Sequence, residues 1–310
     1  MKYVMALYDS VIPEKLHFFF ALSRTHHGVL DMMAPVFAAL LYLGRFPDPA
    51  VVVVGIITVF AGYTAVYALN DIAGYRDDKK NILPAAKTGT DLDSILIRHP
   101  LAQGVISLKS AALWTGFWSV AALLGAFYLN PVCILIFLSG ALLEIIYCFL
   151  LKISYLRVIV NGFVKSAGPV AAVFAVDGTP DALFLCLLFA FFFLWEAGGQ
   201  NIPNDYTDMD EDRLVNAKTF PLVFGRTISC SVIMGLLSVS VFIMTVLFLI
   251  SPVHFRWLYL LFGAGSVFLL ILPAWRLMKT GANPAAMNLF NKASYYPFFL
   301  LCVVLMALFL

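Results

Sequence analysis

Charge is what this chain has least of. Only 12% of its 310 residues are Asp, Glu, Lys or Arg, while 62% are hydrophobic and 28 are Phe. No soluble fold of this size needs so much apolar side chain, which excludes a water-exposed globule. The apolar runs also lack period-two alternation, which excludes a membrane β-barrel. Cysteine is sparse: Cys133, Cys148, Cys186, Cys230 and Cys302 lie singly in apolar runs with no CxxC. They read as small hydrophobes, neither disulfide partners nor metal ligands. The opening "MKYVMALYDSVIPEK" has too short an apolar stretch, and no small-residue cleavage site, for a signal peptide.

What is present is a series of apolar runs about 20 residues long, the length of one membrane-crossing helix. Nine spans are expected, near 18–43, 50–70, 107–128, 131–150, 157–176, 182–201, 229–251, 255–274 and 293–310. The expected fold class is therefore an all-α polytopic membrane bundle, a single domain over 1–310. Its central apolar cavity would be capped by the long loops at about 71–106 and 202–228. "RFPDP", "LNP", "VDGTPD" and "SPVHFR" carry the Pro or Gly of tight reversals between spans. Of the 20 Lys and Arg, 17 fall on the side of the N-terminus and the two long loops; the other side holds only Arg45 and Arg256, and Lys165 sits within span five. The positive-inside rule then places both long loops in the cytoplasm. A bacterial or archaeal cytoplasmic membrane is the expected setting.

The scarce acids cluster. "NDIAGYRDD" (70–78) follows span two and "NDYTDMDED" (204–212) follows span six. Aligned on Asn, they share N-D at the first two positions and Asp at the ninth. Asn204, Asp208 and Asp212 recur every fourth residue, which lines them on one face if the helix continues. Two carboxylates about 6 Å apart repel by roughly 3 kcal/mol at an effective dielectric near 20. A cation should relieve this, and hard oxygen ligands suit Mg²⁺ shared with substrate phosphates. Two such motifs facing each other across a bundle are what metal-dependent ionisation of an allylic diphosphate requires, with an apolar interior to take the isoprenoid tail.

At these residues the sequence resembles the UbiA superfamily of intramembrane prenyltransferases, with nine membrane helices and NDxxDxxxD motifs after helices two and six. "RHPLAQGVIS" (98–107), "KTFPLVFG" (218–225), "YCFLLK" (147–152) and "FNKASYY" (290–296) extend the resemblance over nearly the whole chain. The resemblance implies a Mg²⁺-dependent transfer of a polyprenyl group from its diphosphate to an acceptor, an aromatic quinone precursor by prior. It assigns Asn70, Asp78, Asn204, Asp208 and Asp212 to Mg²⁺ and diphosphate, and matches Asp71 and Asp205 to the second motif letter. Lys152 is implied to meet the diphosphate, with Arg98 and Lys218 as basic residues of the same loops. Asp208 or its neighbour Asp205 would take a ring proton or hold the cation. One departure stands out: the family's acid falls at Gly74, so either Asp71, the favoured substitute, or Asp77 replaces the missing ligand, or the first metal site is the weaker one.

An unpaired charge at the bilayer centre costs at least about 2.5–3.5 kcal/mol, so buried ionisable residues are functional candidates. Arg24 at the mouth of span one could meet an acceptor carboxylate, and Glu196 continues the acidic face inward as a pocket-lining candidate. Lys165 and Glu144, buried on facing elements, are expected to pair. The Gly198-Gly199 pair reads as a packing or bending site. A terpene cyclase, or transfer of another group to a polyprenyl phosphate, would fit the same fold. An ion-coupled transporter fits less well, because its acids would sit near the midplane. Expected partners are a polyprenyl diphosphate, a small lipophilic acceptor and membrane lipid, with neither nucleic acid nor an obligate protein partner.

Overall fold

The computed structural model describes residues 14–81, 97 and 99–310, with the side chains of residues 14, 15, 77, 80 and 81 outside that description. Among the described residues there is no strand, and nine helices are long and apolar enough to cross a membrane. They are α1 (Thr25–Leu43), α2 (Pro49–Asn81), α3 (Leu108–Leu129), α4 (Pro131–Leu150), α5 (Arg157–Val176), α6 (Ala182–Thr207), α7 (Phe220–Ile250), α8 (Leu258–Thr280) and α9 (Asn283–Phe309). A short helix, Glu14–Leu22, precedes α1, and Met209–Leu214 follows α6. This is an integral, multi-pass membrane architecture.

Local chemistry sets the helix starts. Ser107 accepts a bond from Ser110 N (3.1 Å), Asn130 from Val132 N (2.9 Å) and Asp181 from Phe184 N (2.7 Å), capping α3, α4 and α6. Pro131 sits at the first position of α4, where its missing N–H is harmless. Inside α6 the same residue type does the opposite. Pro203 cannot donate to the helix and crowds the preceding turn, and a widened π turn over Glu196–Asn201 stands immediately before it. Pro273 in α8 follows another π turn, Val267–Ile271.

The boundaries depart from the sequence expectation in instructive ways. The first span is broken at Ser23 and Arg24, where Arg24 takes a left-handed backbone (φ 43). α2 runs on to Asn81, so the first acid motif lies on a helix rather than in a loop. α7 begins at Phe220, nine residues earlier than expected, and turns through Gly225 (φ 79), a backbone angle that favours glycine. α9 begins at Asn283, taking in the expected polar start of the last helix.

Packing is inverted relative to a soluble bundle. α3 turns Leu113, Phe117, Val120, Leu124 and Phe127 outward, and α4 does so with Leu135, Leu138, Leu142 and Phe149. Both are helical-period stripes suited to lipid tails. The main core joins α1 with α5 to α9 through Phe37, Leu188, Phe192, Leu237, Phe248 and Leu300. Gly198 and Gly199 serve this packing: a Cβ on Gly198 would stand 2.9 Å from Leu236 Cβ, and one on Gly199 3.0 Å from Ala293 Cβ. A second, smaller cluster packs Leu101 and Ile106 against Leu22, Ala68 and Ala111. It clamps the end of the first long loop onto α2 and α3.

Candidate active site

A cavity of ≈ 1540 Å³ opens between α1, α2, α4, α5, α6 and α9. Much of its wall is apolar, with Val59, Val66, Ile136, Phe137, Val164 and Ala171 among its lining. Both acid motifs line the same cavity, the first from the end of α2 and the second from the end of α6.

In the first motif Asn70 donates its amide to the buried Glu144 carboxylate and also lies 3.4 Å from Cys148 Sγ. One turn on, Gly74 faces Asp78: a Cβ at 74 would come within 3.0 Å of Asp78 Oδ2. Asp78 thus fills space that an acid at 74 would claim. Asp71 is buried (4% exposed), and its Oδ1 lies 3.0 Å from His99 Nδ1, which is also 3.1 Å from Asp78 Oδ2. Asp71 Oδ2 is buried without a hydrogen-bond partner. Burial alone would lower the His99 pKa, but the hydrogen bonds to Asp71 and Asp78 outweigh it and raise the value above the usual imidazole range.

In the second motif helical bonding carries through the end of α6. Asp208 N donates to Asn204 O (3.2 Å) and Asp212 N to Asp208 O (2.9 Å), which keeps Asn204, Asp208 and Asp212 in four-residue register. Asp205 points differently. Its Oδ1 accepts from Arg157 NH1 at 3.2 Å, both side chains are buried, and Arg157 also stacks 4.1 Å over the Tyr147 ring. Asp205 Oδ2 has no hydrogen-bond partner. Asp212 is pushed up to about 7, chiefly by burial and then by the nearby Asp205 charge. Asp210 is exposed, accepts from Arg213 (3.3 Å) and reaches the cavity rim with Glu211.

Deeper in the cavity Glu196 accepts from Asn161 Nδ2 (2.7 Å), and its second oxygen is unpartnered. Asn201 donates to Tyr147 Oη (3.0 Å). The expected Lys165–Glu144 pair does not form. Lys165 donates instead to Asp31 and to Tyr67 Oη (2.7 Å), while Glu144 is taken by Asn70. Helix rotation explains the correction, since α1 packs against α5 and brings Asp31 to Lys165.

Among the residues singled out from the sequence, Asn70, Asp71, Asp78, Asn204, Asp205, Asp208, Asp212, Arg24 and Glu196 line the cavity. Lys152 and Lys218 are not among the lining residues, and Lys218 is exposed. The turn after α4 and the segment before α7 meet through backbone, Lys218 N to Leu151 O at 2.7 Å, and that contact leaves the Lys218 side chain outside. Arg98 and the Asp77 side chain lie outside the described residues. Sequence reasoning passed over His99, Arg157 and Asn161. His99 stands in the quoted "RHPL", but a lone histidine in a loop gives no signal. Arg157 was one more membrane-flanking cation.

The donor set suits a divalent cation. Carboxylates gather at both motifs, two of their buried oxygens lack protein partners, and hard oxygen ligands are what Mg²⁺ takes. Fold and site together define an intramembrane helical enzyme with an apolar chamber and a two-sided acidic mouth. The family model of the UbiA prenyltransferase family matches residues 32–308, and the chain belongs to that family. A 4-hydroxybenzoate octaprenyltransferase of Shewanella halifaxensis is 28% identical over 243 residues, 73% of this chain and 79% of that protein. A digeranylgeranylglyceryl phosphate synthase of Thermococcus kodakarensis is 26% identical, over 67% of this chain and 69% of that protein. Among solved structures, a UbiA homologue of Archaeoglobus fulgidus bound to GPP and Mg²⁺ shares the fold. It has a TM-score of 0.62 and 17% identity, covering 93% of this chain and 99% of that one. A UbiA homologue of Aeropyrum pernix does so at a TM-score of 0.65 and 17% identity, covering 95% and 99%.

Proposed function

We propose that this prenyltransferase moves a polyprenyl group from an allylic polyprenyl diphosphate to an anionic acceptor in the membrane, releasing diphosphate. The observation that carries this reading is the meeting of both acid motifs on one apolar-walled cavity. Asn204 from α6, Asp208 and Asp212 from the turn and short helix that follow it, and Asp71 and Asp78 from α2, would hold divalent metal and through it the diphosphate. When bound, Mg²⁺ supplies the positive charge that stabilises the departing diphosphate as the allylic C–O bond breaks.

The chain's own residues prepare that step. Arg157 fixes Asp205 and keeps a cation buried beside the second motif. Glu144 holds the Asn70 amide NH₂ and so sets the orientation of its side-chain carbonyl oxygen. Val66, Phe137 and Val164 keep water from the allylic cation along the chamber. Asp208 is the group we assign to take the proton lost from an aromatic acceptor. Arg24, at the cavity wall between the first two helices, is assigned to the acceptor's anionic group, with Glu196 lining the pocket further in. The similarity to 4-hydroxybenzoate octaprenyltransferases supports an aromatic carboxylate as the acceptor; the T. kodakarensis relative makes a glyceryl phosphate acceptor the competing choice. The excess of Lys and Arg on the motif side supports placing the motifs in the cytoplasm.

The test uses purified full-length protein with Mg²⁺, a labelled polyprenyl diphosphate and each acceptor class. Diphosphate release that depends on Mg²⁺, Asp208 and Asp212, with prenylated acceptor formed in equal amount, is the expected result. Release independent of all three refutes the reading.

A further inference from the structure

We propose that His99 supplies the ligand missing at Gly74. The α2 metal site would then be a mixed nitrogen–oxygen centre of Asp71, Asp78 and His99, which takes a first-row transition dication such as Mn²⁺ in preference to Mg²⁺. The proposal rests on the reading that the acid motifs hold metal. It adds a ligand from outside the motif and an inequality between the two sites.

Three observations meet here. Asp71, Asp78 and His99 each offer one ligand atom, and these atoms lie within 4.8 Å of one another. His99 Nδ1 stands 3.0 Å from Asp71 Oδ1 and 3.1 Å from Asp78 Oδ2. Neighbouring ligands around an octahedral dication bonded at 2.0–2.1 Å stand about 3.0 Å apart, so these separations need little adjustment. The second observation is Asp71 Oδ2, a carboxylate oxygen buried without a partner on a residue only 4% exposed. Burying such an atom unpaired is unfavourable, and a cation bonded to the Asp71 carboxylate would relieve it. The third is the space over Gly74. A side chain there would be crowded by Asp78, whose Oδ2 lies 3.0 Å from the position of the missing Cβ and would have to shift.

The loop around His99 is built to deliver it. Leu101 and Ile106 are buried against Leu22, Ala68 and Ala111, pinning the segment to α2 two residues beyond the imidazole. His99 itself takes a left-handed backbone (φ 52), which an L residue adopts only where surrounding contacts hold it. The plainest competing account is a histidine that merely bridges two carboxylates. One Nδ1–H cannot point at both oxygens, however, so in the bridge one carboxylate is served poorly. A dication among the three atoms bonds fully to each. Imidazole nitrogen raises affinity along the order Mn²⁺, Fe²⁺, Co²⁺, whereas Mg²⁺ selects oxygen. The α6 motif offers Asn204, Asp208 and Asp212, oxygen donors throughout, and so keeps the Mg²⁺ preference.

Pulsed EPR on the full-length protein in detergent tests this directly. Substoichiometric Mn²⁺ is added over excess Mg²⁺. Wild type is expected to show a ¹⁴N coupling from directly bound imidazole, replaced by ¹⁵N coupling after histidine labelling. His99→Ala should lose that coupling and weaken Mn²⁺ binding at least tenfold, with Mg²⁺ binding altered less than threefold. His99→Asp should restore binding through oxygen alone, reversing the Mn²⁺ preference without nitrogen coupling. An oxygen-only spectrum in wild type with Mn²⁺ bound overturns the proposal, as does a coupling that survives both His99 variants. The broader reading fails separately: that would be Mg²⁺-dependent diphosphate release left intact by Asp208→Asn, whatever the nitrogen signal.

Discussion

Replacing Arg157 by Met should destabilise the protein far more than its position at a helix start implies. Its guanidinium lies 3.2 Å from Asp205 Oδ1 and 4.1 Å over Tyr147, and both Arg157 and Asp205 are buried. At 3.2 Å and an effective dielectric near 20, the attraction is about 5 kcal/mol. Desolvation of the two charges offsets most of this, so the pair as a whole is worth little more than two well-packed apolar residues. Removing one partner is different, because Asp205 is left buried without its counter-charge and with its Oδ2 already unpartnered. That costs about 3–5 kcal/mol. Loss of the Tyr147 contact adds about 0.5–2 kcal/mol. Arg157→Met and Asp205→Leu should therefore each cost several kcal/mol in SDS-titration unfolding from mixed micelles, and the double variant should return to within about 2 kcal/mol of wild type. A double variant whose cost equals the sum of the singles refutes the coupling. So does a single Arg157→Met cost below about 1 kcal/mol.

Further outcomes follow from the same geometry. Asp208→Asn should lower diphosphate release by about 10²-fold or more, since it removes charge at the reacting centre, whereas Lys218→Ala, exposed outside the cavity, should change it by less than about fivefold in the same assay. In metal-free protein, Asp212 has its pKa raised from 3.8 to about 7 and His99 is raised above 6.5, so both groups hold protons in the folded state that the unfolded chain has lost. The stability they contribute is full below the unfolded values and is lost as pH rises through the folded ones; thermal melts without metal should therefore be higher near pH 5 than pH 8. Protons also compete with metal on Asp212, so divalent-cation affinity measured by calorimetry should rise by up to about tenfold per unit toward pH 7 and then level off, and Asp212→Asn should flatten that slope. Gly198→Val should cost about 1–3 kcal/mol in the unfolding assay, because its Cβ would meet Leu236 at 2.9 Å and push α6 from α7.

Much of this was legible without coordinates. Nine spans, their tight turns and both acid motifs are local features, written in runs of apolar residues, in Pro and Gly, and in the spacing of Asn204, Asp208 and Asp212. The cavity placement of Glu196 was also within reach, since helical register carries one residue's face along to the next, and Arg24 stands at the mouth of the first span. Missed boundaries have local causes as well. α2 continues through Asn81 and α7 starts at Phe220 although polar residues in both stretches read as loop.

The partnerships were beyond the sequence. Asn70 with Glu144, Lys165 with Asp31, Arg157 with Asp205 and His99 with Asp71 join residues 74, 134, 48 and 28 positions apart. In a soluble helix the apolar face announces which side is buried. Here both lipid and chamber are apolar, so Leu135 on the outside of α4 and Ile136 on the cavity side look alike in the sequence. Each helix's rotation is set by close packing with its neighbours, as at Gly198 against α7 and Asp31 against α5. The sequence by itself determined that acids stand at the ends of α2 and α6. Only the tertiary structure decided which cation, amide or imidazole each acid meets, because that choice depends on helix rotations that hydropathy cannot encode.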